Sequence, residues 1–144
     1  MLAIELNTAI KSHFATLGAP YSDVSFFPMT AYEDTTGPFI TYYEYPGTQS
    51  EEQYFLRVSN LVYFVYDNDI DRADKIVHAL ESFLNKGDDI SGIVALRSIP
   101  AGYGEDLRYR LTSIRLVSGT MSPPIEKDGF AAISRNFRTT YVNV

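Results

Sequence analysis

The stretch with the most chemical potential is Asp67-Asn68-Asp69-Ile70-Asp71. Oxygen ligands at alternate positions open a calcium loop, because a hard cation collects several carboxylates. The run departs from that loop where it is strictest. Arg72 stands where the sharp turn needs glycine, and His78 stands where a bidentate acid must close the shell. Helix capping is the better reading: a short side chain accepts hydrogen bonds from the free N–H groups of a first turn. Asp67, Asn68 and Asp69 can each supply that oxygen.

Other constellations are weaker. Gly102-Tyr103-Gly104 starts like a dinucleotide fingerprint, but Leu107 replaces the third glycine and a strand follows where a helix must begin. His13 and His78 fall on two different helical stretches, and the chain has no cysteine, which argues against zinc and excludes disulfides. The acid pairs Glu51-Glu52, Asp88-Asp89 and Glu105-Asp106 all fall in expected loops. A catalytic pair needs one carboxyl desolvated to raise its pKa, whereas loop acids stay solvated. No serine elbow, P-loop or kinase-type set is present. Arg97, Arg108, Arg110, Arg115, Arg135 and Arg138 fall on expected strands. Alternation puts Arg108 and Arg110 on one face and Arg115 on the other. A solvated sheet face or a subunit contact suits them better than a nucleic-acid stripe, because the chain carries −6 overall.

These residues need elements to hold them. Leu61-Val62-Tyr63-Phe64-Val65-Tyr66 is β-branched and aromatic without a break and predicts a buried strand. It feeds a helix whose apolar stripe is Ile70, Ala73, Ile76, Val77, Leu80, Phe83 and Leu84. Asp71 and Lys75 stand four apart in the favourable order, Lys86 suits the C-terminal dipole, and Gly87 is a left-handed stop. An earlier helix carries Leu6, Ile10, Phe14 and Leu17 and ends at Gly18-Ala19-Pro20. Residues 20–37 read as an irregular excursion anchored by Phe26-Phe27. Residues 38–45 form a strand ended by Pro46-Gly47. The next strand starts near Tyr54 or Leu56 and runs through Tyr66, long enough to expect a bulge at Ser59-Asn60. Further strands are expected at 93–96, 108–117 and 137–142, with a Gly-rich turn at 101–106 and an exposed loop at 119–129. The fold class is α+β: an antiparallel or mixed sheet with two helices packed on one face, as one domain over residues 1–144.

Charge and hydropathy narrow the classes. Residues 1–72 hold ten acids and three bases; residues 73–144 hold eight acids and nine bases. Such an acidic chain is a poor non-specific DNA binder. No apolar run approaches a membrane span, and the N-terminus lacks the basic region of a signal peptide. A soluble protein made in a cytosol is expected, with no membrane partner.

The order of elements carries a resemblance. An N-terminal helix, the strand Pro38-Phe39-Ile40-Thr41-Tyr42, the long strand ending Val62-Tyr63-Phe64-Val65-Tyr66, and the acid-capped helix Asp69 to Leu84 follow one another. This pattern, sharpest over residues 38–87, resembles the tail terminator proteins of long-tailed bacteriophages, within the wider tail-completion and head–tail joining group. The resemblance implies a virion structural protein, located in the tail or neck and made in the host bacterial cytoplasm. It implies a homo-oligomer, a hexameric ring that caps the tail tube, stops its polymerisation and offers a surface to a head or neck connector or stopper protein. DNA would pass through the ring without sequence-specific binding. No catalytic residue, cofactor or metal comes with the family, so an enzyme is not expected.

Ring building needs exposed loops, and residues 46–56, 101–106 and 119–129 are the candidates. The expected interface residues are Tyr43, Tyr45, Glu51, Glu52, Arg108, Arg110, Arg115, Glu126 and Lys127. Glu51, Glu52, Glu105 and Asp106 are the expected channel lining, because an acidic wall keeps a phosphate backbone sliding. The tyrosines of the 39–45 strand suit an interface and half-buried sheet packing equally well. The competing reading is a small-molecule or peptide-binding α+β module with the aromatic sheet face as its pocket. An enzyme using loop acids stands third.

Overall fold

The computed structural model of the protein describes residues 2–28, 37–47, 56–89, 109–118, 125–127 and 130–143. Helix α1 spans Leu2–Leu17 and is followed by a single 3-10 turn, Tyr21–Asp23. Strands β1 (Ser25–Pro28), β2 (Phe39–Pro46) and β3 (Leu56–Asp67) lead into helix α2 (Ile70–Leu84). Strands β4 (Tyr109–Ser118), β5 (Ile125–Lys127) and β6 (Phe130–Asn143) complete the described chain.

All six strands join one mixed sheet in the order β1-β2-β3-β6-β4, with β5 beside the start of β6. Among the described strand pairs only β1–β2 is parallel. Both helices lie on one face and share one apolar core with Ile40, Leu61, Tyr63, Val65, Ile114, Ile133 and Phe137. His13 of α1 stacks flat on Phe83 of α2, with ring centroids 4.4 Å apart, which ties the helices together. The α+β arrangement is therefore as the hydrophobic patterning predicts.

Helix α2 follows its stripe closely. Ala73, Ile76, Val77, Leu80, Phe83 and Leu84 are all buried. Asp69 is the cap: its carboxylate accepts from the N–H groups of Asp71 and Arg72. Asp67 has a different task. Buried completely, it accepts two bonds from the Arg72 guanidinium, at 2.6 and 2.7 Å, and one from the Asp69 N–H. A buried carboxylate survives when charge-assisted bonds replace its water, and here a fork from the first helical turn supplies them. Two stripe positions depart from the pattern. Ile70 and Leu17 are 49% and 44% exposed. Each stands at a helix end, beyond the reach of the sheet, where periodicity continues but the covering surface does not. Asp71 and Lys75 form no ion pair; Asp74 instead meets His78 at 3.4 Å. Lys86 falls beyond the last turn, which holds no base.

Two glycines have steric reasons. Gly87 has φ +61° and exchanges both backbone hydrogen bonds with Ile114, at 2.8 and 3.0 Å, which fastens the end of α2 to the outer edge of β4. A Cβ on Gly47 would fall 2.4 Å from Val58, so only glycine lets the chain leave β2 there.

Several sequence expectations are corrected. Residues 20–37 are not irregular throughout, since Ser25–Pro28 pairs with β2. Four residues are too few to show a period, and the partner strand supplies what the local sequence cannot. The 119–129 segment contains β5, whose Lys127 pairs with Phe130. Asp-Gly is a strong short-range hairpin signal and pointed to this pair. The last strand begins at Phe130, seven residues before the expected Phe137. No bulge occurs at Ser59-Asn60; both keep register with β2 and β6. The irregularities fall in β4, between Leu111 and Ser113 and between Leu116 and Ser118. Ser59 fits an unbroken ladder because it is buried with its hydroxyl donating to Glu44 at 2.6 Å. The expected strand at 93–96 and the turn at 101–106 lie outside the described residues.

Among the described residues, the Asn7 amide, the Tyr63 hydroxyl and the Asn136 Oδ1 are buried without a hydrogen-bond partner. Tyr63 is fully buried, and its hydroxyl has no hydrogen-bond partner. Burial, followed by the charge of Glu44 and then Tyr42, pushes its pKa far up, so it stays a neutral phenol. An unsatisfied buried hydroxyl carries its desolvation cost without return. Tyr63→Phe removes that cost and should raise stability by about 1 kcal/mol. Urea unfolding of the two proteins measures it, and a destabilised phenylalanine variant would contradict the orphan assignment.

Candidate interface surfaces

The face of the sheet opposite the helices carries the residues of interest. Cross-strand register sets its composition, because directly opposed residues project to the same side. One row across β2, β3, β6 and β4 reads Tyr45, Asn60, Arg138 and Arg115. The neighbouring row reads Tyr43, Val62, Asn136 and Ser118. Further along β2 and β3 come Thr41 with Phe64 and Phe39 with Tyr66.

Aromatic rings run along this face in sequence. Phe27 meets Phe39 edge-on at 6.1 Å, and Phe39 stacks on Tyr66 at 4.8 Å. Tyr66 lies 6.4 Å from Phe64, Phe64 lies 6.1 Å from Tyr43, and Tyr43 lies 6.1 Å from Tyr45. The ladder has a dry end and a wet end. Phe39 is 8% exposed, whereas Tyr43 and Tyr45 are 37% and 40% exposed. Among the described residues no helix or strand packs over this face. Tyr45 accepts a 3.4 Å hydrogen bond from the Asn136 amide, while the Asn136 Oδ1 is enclosed without a partner.

The arginines divide in a way that alternation did not foresee. Arg115 and Arg138 are directly opposed on β4 and β6, and both are exposed. Like charges at that spacing repel. Arg115 is answered by Asp88 at 2.8 Å. Arg138 has no acidic partner among the described residues. Arg135, expected on a solvated face or at a subunit contact, is buried on the helix side instead. It is 7% exposed, its guanidinium pairs with Glu81 of α2, and it donates to the Ser134 carbonyl at 2.7 Å. Position along β6 decided this, since Arg135 stands opposite Tyr63 on the core face. The expected split of Arg110 from Arg115 also loses its basis. Leu111 and Ile114 are both buried although three residues apart, because the register shift between them changes the parity of the strand.

Of the expected interface residues, Tyr43, Tyr45 and Arg115 share the face opposite the helices. Arg110 lies in β4, and Glu126 and Lys127 lie in β5. Glu51, Glu52, Glu105, Asp106, Arg97 and Arg108 lie outside the described residues. Arg138, expected on a solvated sheet face or at a subunit contact, is exposed in the patch, and Asn136 and Asn60 join it without having been foreseen. The period-two spacing of Asn136 and Arg138 on a strand was the available signal.

The opposite corner of the molecule is acidic. Asp23, Asp69, Asp71 and Asp74 are all exposed around the start of α2. Arg72 beside them is occupied by Asp67. Those hydrogen bonds raise its pKa first, burial opposes them, and the charges of Asp67, Asp69 and Asp23 add to the rise. Between the helices an open cleft of about 320 Å³ is lined by Leu17, Tyr21, Asp74, Lys75, His78, Ala79 and Ser82. His78 Nδ1 lies 2.8 Å from the Asp74 carbonyl, an intrahelical contact. Among the described residues no cluster of His, Asp and Glu has the arrangement of a metal site. No described helix is long and apolar enough to cross a membrane.

Glu44 has a structural task that the sequence did not reveal. It stands in a tyrosine-rich strand, yet it projects to the helix side. Its carboxylate accepts from the Ala3 N–H at 3.1 Å and from Ser59 at 2.6 Å. The sheet thereby caps the N-terminus of α1 from across the fold, where negative charge is favoured.

No family model matches this chain, and no curated protein matches it.

Proposed function

We propose that the chain is a structural subunit of a phage tail terminator ring rather than an enzyme. The single observation that carries this is the one-sided build of the domain. Both helices cover one face of the sheet, and the other face presents Tyr43, Tyr45, Arg115 and Arg138 with no described element over them. Exposed aromatic residues and arginine are the types enriched at protein interfaces, because they bury large area at low entropic cost. The element order that resembles tail terminators supports the same reading. The proposed partners are other copies of the chain in a hexameric ring, the tail tube protein, and a head or neck connector or stopper. DNA crosses the ring without sequence recognition, and the working location is the tail or neck of the virion.

Negative-stain microscopy of the purified protein tests this reading, with rings around a central hole as the expected outcome. A protein that stays monomeric at high concentration and binds a small molecule or peptide on its aromatic face would replace it with the binding-module reading. The acidic channel wall is tested separately. Glu51→Lys with Glu52→Lys should leave ring assembly intact and slow DNA passage, more at low salt than at high, because phosphate contacts weaken as salt rises. Equal passage rates at both salts would remove Glu51 and Glu52 from the wall.

A further inference from the structure

We infer that the tyrosine–arginine end of the sheet face opposite the helices, over which no described element packs, receives on one copy the acidic corner at the start of α2 on the next copy. This rests on the ring reading and names the contact that would build the ring. The first argument is charge. Arg138 stands directly opposite Arg115, but only Arg115 has an acid, Asp88, among the described residues. Among the described residues the patch therefore keeps an unanswered positive charge, although the chain as a whole is −6. Asp69, Asp71 and Asp74 form the complementary group, exposed on one corner around the first turns of a helix.

The second argument is position. Ring formation from identical subunits requires two unlike patches that match each other at different places on one molecule. The acidic corner lies where β3 ends, beside the Phe39–Tyr66 pair, on the helix side of the sheet. The arginine row lies at the Tyr45–Asn60 pair, on the other side. Six residues of strand separate the two pairs, roughly 20 Å along the sheet. The two patches are thus diagonal across the layer. Within one copy the two patches cannot meet each other, whereas a chain of copies brings them together in turn. Tyr43 and Tyr45 flank the arginine row and supply apolar area around the charges, while the Asn136 Oδ1 beside them is an acceptor without a donor.

Charge reversal with rescue tests the contact. Arg138→Glu should weaken self-association roughly tenfold or more, because like charges would face each other in the contact. Asp71→Arg should do the same. Both positions are exposed, so the variants should keep the parent melting curve; Arg138→Gln serves as a milder second variant. The doubly reversed chain, Arg138→Glu with Asp71→Arg, should recover rings. Sedimentation velocity and mass photometry at low and high salt read the parent and all four variants. Rings unaffected by either reversal would overturn this contact and leave the ring reading standing. Loss of rings in both single variants without recovery in the double would also overturn it. A parent chain that is monomeric throughout would overturn the ring reading itself.

Discussion

Leu80→Ala is expected to lower the unfolding free energy by about 2–5 kcal/mol. Leu80 is completely buried in the layer between α2 and the sheet, among Ile76, Val77, Leu84 and the core faces of β3 and β6. Truncation removes the transfer energy of the side chain and leaves a cavity that a rigid sheet cannot close. Ile70 belongs to the same sequence stripe, yet it is 49% exposed at the start of the helix. Ile70→Ala should therefore stay within about 0.5 kcal/mol of the parent. Paired urea titrations give both values, with the slope as a check on the unfolded state. Equal losses at the two positions would show that the helix seats differently on the sheet.

Replacing Arg135 should be the most damaging of the polar changes. Its side chain is 8% exposed and its guanidinium pairs with Glu81, whose side chain is 25% exposed. Removing one member of such a pair strands the other in a poorly hydrated site. Arg135→Met is expected to cost about 3 kcal/mol, the low end of the range for broken buried pairs, because Glu81 retains some contact with water. Arg135→Met with Glu81→Leu should recover most of that loss, since replacing both charges with apolar groups of similar size is often neutral. A double variant as unstable as the single would mean that Arg135 holds the core by packing and by its bond to the Ser134 carbonyl. Salt separates the cases further: a pair this buried is screened far less than the exposed Arg115–Asp88 pair.

The contrast between these two arginines shows what a sequence can and cannot specify. Arg115 and Arg135 both lie in strands that alternate, and nothing in their local composition distinguishes them. Arg135 is opposite Tyr63 in a register fixed by long-range pairing, and that register turns it to the helices. Arg115 follows a register shift that reverses the count from Leu111, so a period-two reading of β4 fails there. Strand parity is a local property only while the strand is regular.

Helix α2 and strand β3 were determined almost wholly by their own residues. The continuous apolar run of β3 matches burial near the middle of a sheet, and the stripe of α2 buries as its spacing demands. The capping oxygen was one of three in the sequence. Geometry assigned it to Asp69 and gave Asp67 to Arg72, because only the folded turn brings that guanidinium back over the strand end. Strands β1 and β5 could not declare themselves. At four and three residues they hold too little pattern, and they exist through β2 and β6. The uncovered face was half legible. Alternation put Tyr43 and Tyr45 on one side of a strand, but exposure depends on what lies above them. Tertiary structure alone decided that both helices take the other side, that Arg138 joins the tyrosines, and that the acids of α2 end up on the opposite corner. The reason is physical. Local sequence selects conformations through steric and hydrophobic periodicity over a few residues, whereas a surface patch is assembled from strands distant in the chain by pairing energies that no single segment contains.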